Sequence, residues 1–294
     1  EKVSESDIRN ILSQAPAPRI VNLHGGIYPV HLMMESFTQF LVGMGYPERK
    51  IRHPKSGDAS FTCYMDSEAI AGAVAWYYEK EGMRPMMIGH SQGGMQAIKV
   101  LHMLSGSLGK EPRVWNPVTG RFENRKTILD PLSGAEIPLK STQVSYVTSV
   151  GAGGFTRVLP NQWVMTGKLR SIPDTAVEFT GFYIGFDLLG GDILGAGGFN
   201  QYKATGTAQV RNVGLPVGYE HVTVPNTAHL VKHPEIRAWI DAYVPSDHPH
   251  YNGPSEFASG NILWAADVWH SIKRHWVMEV QRFIRAKRVV AGRT

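Results

Sequence analysis

An α/β fold, a doubly wound and mostly parallel sheet with helices on both faces, is what the sequence predicts, and three observations predict it. Short continuous apolar runs recur at residues 20–23, 85–88, 144–150 and 177–184, the signature of strands buried on both sides. Segments with apolar residues at helical spacing separate several of these runs. Glycines follow two of them directly, in "LHGG" and "IGHSQGG". With 294 residues, 43% hydrophobic and 19% charged, the chain can bury a core of its own. The reading is a single domain over 1–294, carrying a polar insertion at 105–142 and a C-terminal linker and helix at 245–294.

The elements follow in order. Polar residues 1–18 lead through "APAPRI" into the first strand, 20–23, which stops at a glycine turn. Phe37, Phe40, Leu41 and Met44 then share a helical face that ends at Gly45 and Pro47. A short strand is expected around Ile51. Ile70, Val74, Ala75 and Tyr78 line a helix over 65–80, with Asp66 or Ser67 as its N-cap. After the strand at 85–88, "GGMQAIKVLHML" is a helix facing inward through Met95, Ile98, Leu101 and Leu104. The insertion contains "NPVTGRF" and "DPLSGAEI", two Asx-Pro turns that suggest hairpins, and it is read as either a lid or an inert excursion. Strands are expected at 144–150, 177–184 and 221–224, and a helix opened by Pro234. A long final helix carries Ile262, Ala265, Trp269, Ile272, Trp276, Val280 and Phe283 on one stripe. "GAGGF" occurs at 151–155 and 195–199, but neither copy has the helix start and lysine of a phosphate loop, so both read as tight loops.

Composition excludes several function classes. The net charge of +5 comes from Lys273, Arg274, Arg282, Arg285, Lys287, Arg288 and Arg293 near the C-terminus, and the body is nearly neutral. No nucleic-acid motif accompanies that cluster, so it reads as a solvated helix face. Cys63, the single cysteine, excludes an internal disulfide and a cysteine zinc site; no cofactor or metal is expected. No apolar run approaches the roughly 18 residues of a transmembrane helix. The absence of a methionine at Glu1 fits a mature exported protein, periplasmic or secreted, better than a cytoplasmic one. Trp264, Trp269 and Trp276 are expected to pack against the body or against a second subunit, which would make the chain a homo-oligomer.

The chemistry starts at Gly89-His90-Ser91-Gln92-Gly93, a G-x-S-x-G pattern placed between an apolar strand and a helix. A serine at so sharp a strand-to-helix turn adopts a strained backbone, and the residues two before and two after must be small to let the chain pass. A hydroxyl is a weak nucleophile, so a histidine must take its proton and a carboxylate must orient that histidine. On these residues, and from "IVNLHGG" to "NTAHLVKHP", the sequence resembles the α/β-hydrolase family, its "GHSQGG" being similar to that of lipases and carboxylesterases. The resemblance implies the order Ser, then Asp or Glu, then His. It points to Ser91 as nucleophile, His229 after the last strand as base, and Asp187 after the strand at 177–184 as acid. Asp192 is the alternative acid and Asp174 a third. His24 and His90 are expected to shape loops, His221 to pack within a strand, and His233, His248 and His250 to lie farther on.

Oxyanion stabilisation needs backbone N–H donors, expected from Gln92 and from Gly26 or Ile27 in "HGGIYP". Such a site acts on a small-molecule or lipid-like ester through an acyl-serine. Tyr28, Met33, Met34, Phe155, Trp163, Phe182, Tyr183, Phe186 and Leu188 are candidates to receive an apolar group, or are core. The alternatives are an acyltransferase or thioesterase with the same triad, and a non-catalytic binding protein with an inert serine.

Overall fold

The computed structural model describes residues 3–152, 160–185, 187, 189–190, 200–255, 258 and 261–291. Six parallel strands form one central sheet: β1 (Ile20–His24), β2 (Phe61–Thr62), β3 (Met86–His90), β4 (Val144–Val150), β5 (Ala176–Ile184) and β6 (Gln209–Leu215). They lie in the order β6-β5-β4-β3-β1-β2. Val21 sits beside Met87, and His90 beside Val150. Helices flank the sheet: α1 (Glu5–Asn10), α2 (Tyr28–Gly43), α3 (Ser67–Glu81), α4 (Gln92–Leu104), α5 (Pro234–Ala242) and α6 (Ile262–Ala291).

Each face has its own core, because successive residues of a strand point to opposite sides. Ile20, Met86 and Ile88 pack with Phe37, Phe40 and Leu41 of α2 and with Trp264, Trp269 and Trp276 of α6. Val21 and Met87 pack with Ile70 and Val74 of α3 and with Met95, Ile98 and Leu101 of α4. The chain therefore leaves β1 toward one face and β3 toward the other. Between these two adjacent strands the strand order reverses, the point at which open parallel sheets bind their ligands, outside the carboxyl ends of the strands.

Several expectations change here. Residues 48–50 form a short 3-10 helix instead of a strand, and the strand that pairs beside β1 is Phe61–Thr62. The segment 221–224 is a turn, and the strand beside β5 is Gln209–Leu215. As an edge strand β6 keeps Gln209, Arg211 and Asn212, so no apolar run marks it in the sequence. Asp66 caps α3 by accepting from the Glu68 N–H at 2.9 Å. The insertion forms two hairpins, with Gly120 and Gly134 at φ 72° and 73° in their turns. It packs onto α3 through Val114, Ile128 and Leu139.

Helix α6 is the largest departure. From Ile262 to Trp276 it is buried nearly all round, and its polar residues pair inside the protein. Asp267 binds Arg211, Lys273 binds Asp241 (2.7 Å), and Glu279 binds Arg84 and Arg282. Lys273 is therefore no part of a solvated face. All three tryptophans are fully buried, with Trp264 against Phe37 and Trp276 against Tyr46. Of the two expected partners for these tryptophans, the body of the chain is the one they pack against. Among the described residues no helix is long and apolar enough to cross a membrane.

Candidate active site

β3 ends at His90 and α4 begins at Gln92, so Ser91 alone makes the turn between them. It does so at φ 57° and ψ −130°, the only positive φ of a non-glycine among the described residues. Such a conformation costs on the order of 1–3 kcal/mol and persists only where its surroundings fix it. Here the Ser91 N–H donates to the Val150 carbonyl (2.9 Å), and the Ser91 carbonyl accepts from the Gly94 N–H (2.9 Å). A Cβ on Gly89 would lie 2.5 Å from the Gly94 Cα, and one on Gly93 only 2.2 Å from the Leu23 carbonyl oxygen. Only glycine fits at either place.

The Ser91 Oγ lies 2.8 Å from His221 Nε2, and His221 Nδ1 lies 2.7 Å from Asp187 Oδ2. An ionised carboxylate only accepts, so Nδ1 carries the proton and Nε2 is left to accept from the serine hydroxyl. The Gly190 N–H donates to Asp187 Oδ1 at 2.7 Å and fixes the acid from its other side. Asp187 is buried, while His221 and Ser91 are both partly exposed. Gly151, at φ 55°, passes so close that a Cβ would meet His221 Nδ1 at 2.8 Å and Asp187 Oδ2 at 3.0 Å.

His221, not His229, is thus the histidine at Ser91. His229 lies in the 3-10 helix Ala228–Lys232, which is anchored along α2: Ser36 Oγ accepts from the Thr227 and Ala228 N–H groups (3.1 and 3.0 Å), and Val231 abuts Gly43. At 1.5 Å per residue, Ser36 is about 12 Å along α2 from the helix start near Ser91. Asp174 accepts from the Thr207 and Ala208 N–H groups and serves a loop elsewhere. Asp192, Phe155, Phe186, Leu188 and most of both "GAGGF" copies lie outside the described residues. Met34, Phe182 and Tyr183 are core. The signal for His221 was its place six residues beyond β6, which was invisible while β6 itself went unread.

No protein-family model, curated protein or solved structure matches this chain. What the site can do follows from its own atoms.

The loop that carries Gly26 and Ile27 passes beside Ser91 and Gln92. The Gln92 N–H is the first of α4, has no partner within the helix, and stands at the positive end of its dipole. The glycine loop after β1 reaches across: a Cβ on Gly25 would lie 2.8 Å from Ser91 Cβ, and one on Gly26 2.8 Å from Gln92 Oε1. The Gly26 carbonyl accepts from the Tyr64 hydroxyl at 3.0 Å, and Ile27 stands just before α2. Gly25 and Tyr64 are contacts the sequence did not single out. Among the described residues no cluster of His, Cys, Asp and Glu is placed to hold a metal ion.

Two histidines near the site are held neutral by burial. His90 is pushed down to about 3, first by desolvation and then by its neighbour His221, and His24 to about 4 by desolvation and His31. Far from the site His275, buried beside Arg274, is also held at about 3. Its contact with Glu178 (3.2 Å) is thus a neutral N–H donating to a carboxylate and not an ion pair. In the unfolded chain each histidine binds its proton near pH 6.5. Between about pH 6.5 and 3 the unfolded state holds more protons, so stability falls as the pH falls. His90 and His275 should each contribute a slope of up to about 1.4 kcal/mol per pH unit. Urea midpoints measured from pH 7 to pH 4 check this, and a flat profile would contradict it.

Proposed function

We propose that this chain is a serine hydrolase of the α/β-hydrolase type that cleaves carboxylic esters through an acyl-serine intermediate. The observation that carries the reading is the unbroken relay Asp187–His221–Ser91, with contacts of 2.7 and 2.8 Å. His221 takes the hydroxyl proton as Oγ attacks the ester carbonyl, and returns it to the departing alkoxide; water then repeats the sequence on the acyl-serine. Negative charge on the carbonyl oxygen is met by the Gln92 N–H and a donor from Gly26 or Ile27.

The surroundings favour an apolar, lipid-like ester. Ile27, Tyr28 and Leu32 after β1, Tyr64 after β2, Trp163 and Val164 after β4, Leu189 after β5, and Val217 after β6 are all exposed large hydrophobics. All follow a strand in chain order, and Tyr64 meets Gly26 beside Gln92. Residues 25–34, the glycine turn after β1 and the first two turns of α2, contain no Asp, Glu, Lys or Arg.

The test is a fluorophosphonate probe followed by an acyl-length series of p-nitrophenyl esters. One label on Ser91 is expected. The specificity constant should rise from acetate toward longer chains, by up to about fourfold for each methylene that is fully buried. An unlabelled wild-type protein would overturn the proposal, and labelling with a preference for acetate would overturn the substrate class alone.

A further inference from the structure

The residue before the nucleophile has no part in the relay, yet it is wholly buried and touches the base. His90 Nε2 lies 2.6 Å from the main-chain carbonyl oxygen of His221, with the two rings 5.3 Å apart. A carbonyl only accepts, so Nε2 carries the proton and donates it. That leaves His90 Nδ1 without a proton, and among the described residues no group hydrogen-bonds to it. An ordinary core position would hold an apolar ring at less cost, since a buried polar atom without a partner is unfavourable.

The loop that carries His221 explains what the ring is for. Residues 221–225 are turn, with neither a helix nor a sheet ladder to hold them. Side chains fasten the loop at both ends: Tyr219 accepts from the Leu263 N–H at the start of α6 (3.0 Å), and Ser36 accepts from the Thr227 and Ala228 N–H groups. Between them the His90 ring joins the main chain at His221 to the end of β3. The base is thus held twice by consecutive residues, its ring by Ser91 Oγ and its carbonyl by His90 Nε2.

We infer that His90 is a positioning residue, which through its Nε2–H bond to the His221 carbonyl fixes the imidazole of the base in line with Ser91. This rests on the proposed hydrolase reading, since it assigns a role within the same site. It also makes a chemical distinction that a packing role does not. A glutamine places an N–H where Nε2 stands, an asparagine places one where Nδ1 stands, and a phenylalanine fills the space with neither.

The test compares His90→Gln, His90→Asn and His90→Phe in the full chain. For p-nitrophenyl butyrate, kcat and the fluorophosphonate inactivation rate should fall about 100-fold in His90→Phe and His90→Asn, the scale expected when a reacting group is misplaced by about 1 Å. KM should stay within about twofold, and His90→Gln should recover to within about fivefold of wild type. The far-downfield proton resonance of His221 Nδ1–H, assigned by its loss in His221→Gln, should persist in His90→Gln and broaden away in the other two. The comparison of glutamine with asparagine stands even if the phenylalanine variant fails to fold. Equal impairment of those two, or full activity in His90→Phe, would overturn the inference. An unlabelled wild type would instead count against the hydrolase reading, and the resonance would still report whether His90 holds the base.

Discussion

Ser91→Ala is expected to lower kcat for p-nitrophenyl ester hydrolysis by about 10⁶-fold, the scale seen when the nucleophile of a triad is removed. At about 1.4 kcal/mol per decade this is roughly 8 kcal/mol of transition-state stabilisation. The loss is so large because His221 and Asp187 then have no hydroxyl to act upon, and the backbone donors serve a tetrahedral centre that no longer forms. Alanine at φ 57° carries the same backbone strain as serine, since both have a Cβ, so the melting transition should not move. Steady-state rates on protein free of wild-type traces decide the matter. A loss of tenfold or less would remove Ser91 from the role proposed for it.

His221→Ala should cost about as much, because members of a relay act as one unit and not additively. His229→Ala should stay within about twofold of wild type, since a substitution away from the reacting atoms removes no transition-state contact. The pair separates two readings of one sequence: His229 has the position that the family resemblance favours, and His221 has the contacts, 2.8 Å to Ser91 and 2.7 Å to Asp187. Rates for both variants on the same ester, with circular dichroism to confirm folding, provide the comparison. A large loss in His229→Ala with His221→Ala near wild type would reverse the assignment.

The error over His221 has a definite cause. "HVTV" is β-branched, and local propensity reads it as a strand, whereas the actual strand, "QVRNVGL", is polar at three of its first four positions. An edge strand needs only part of its surface apolar, and Arg211 is accommodated because Asp267 of α6 comes to meet it. No local pattern announces a partner 56 residues away. The same holds for α6, where Lys273 and Arg282 read as exposed charges until Asp241 and Glu279 are seen beside them.

By itself the sequence determined the alternation of buried strands and helices, the turn at Ser91 and the need for glycine at positions 89 and 93. These are local matters: hydrophobic periodicity and steric clearance act over a few residues and leave their mark in the order of the letters. Asp187 was also within reach, because it follows a long apolar strand directly. Only the tertiary structure decided which histidine meets Ser91, that His90 holds that histidine by its carbonyl, and that the charges of α6 are buried in pairs. Those outcomes depend on which loops the sheet order brings together at one edge. Such contacts span 131 residues between His90 and His221 and 195 between Arg84 and Glu279, separations over which spacing along the chain carries no geometric information.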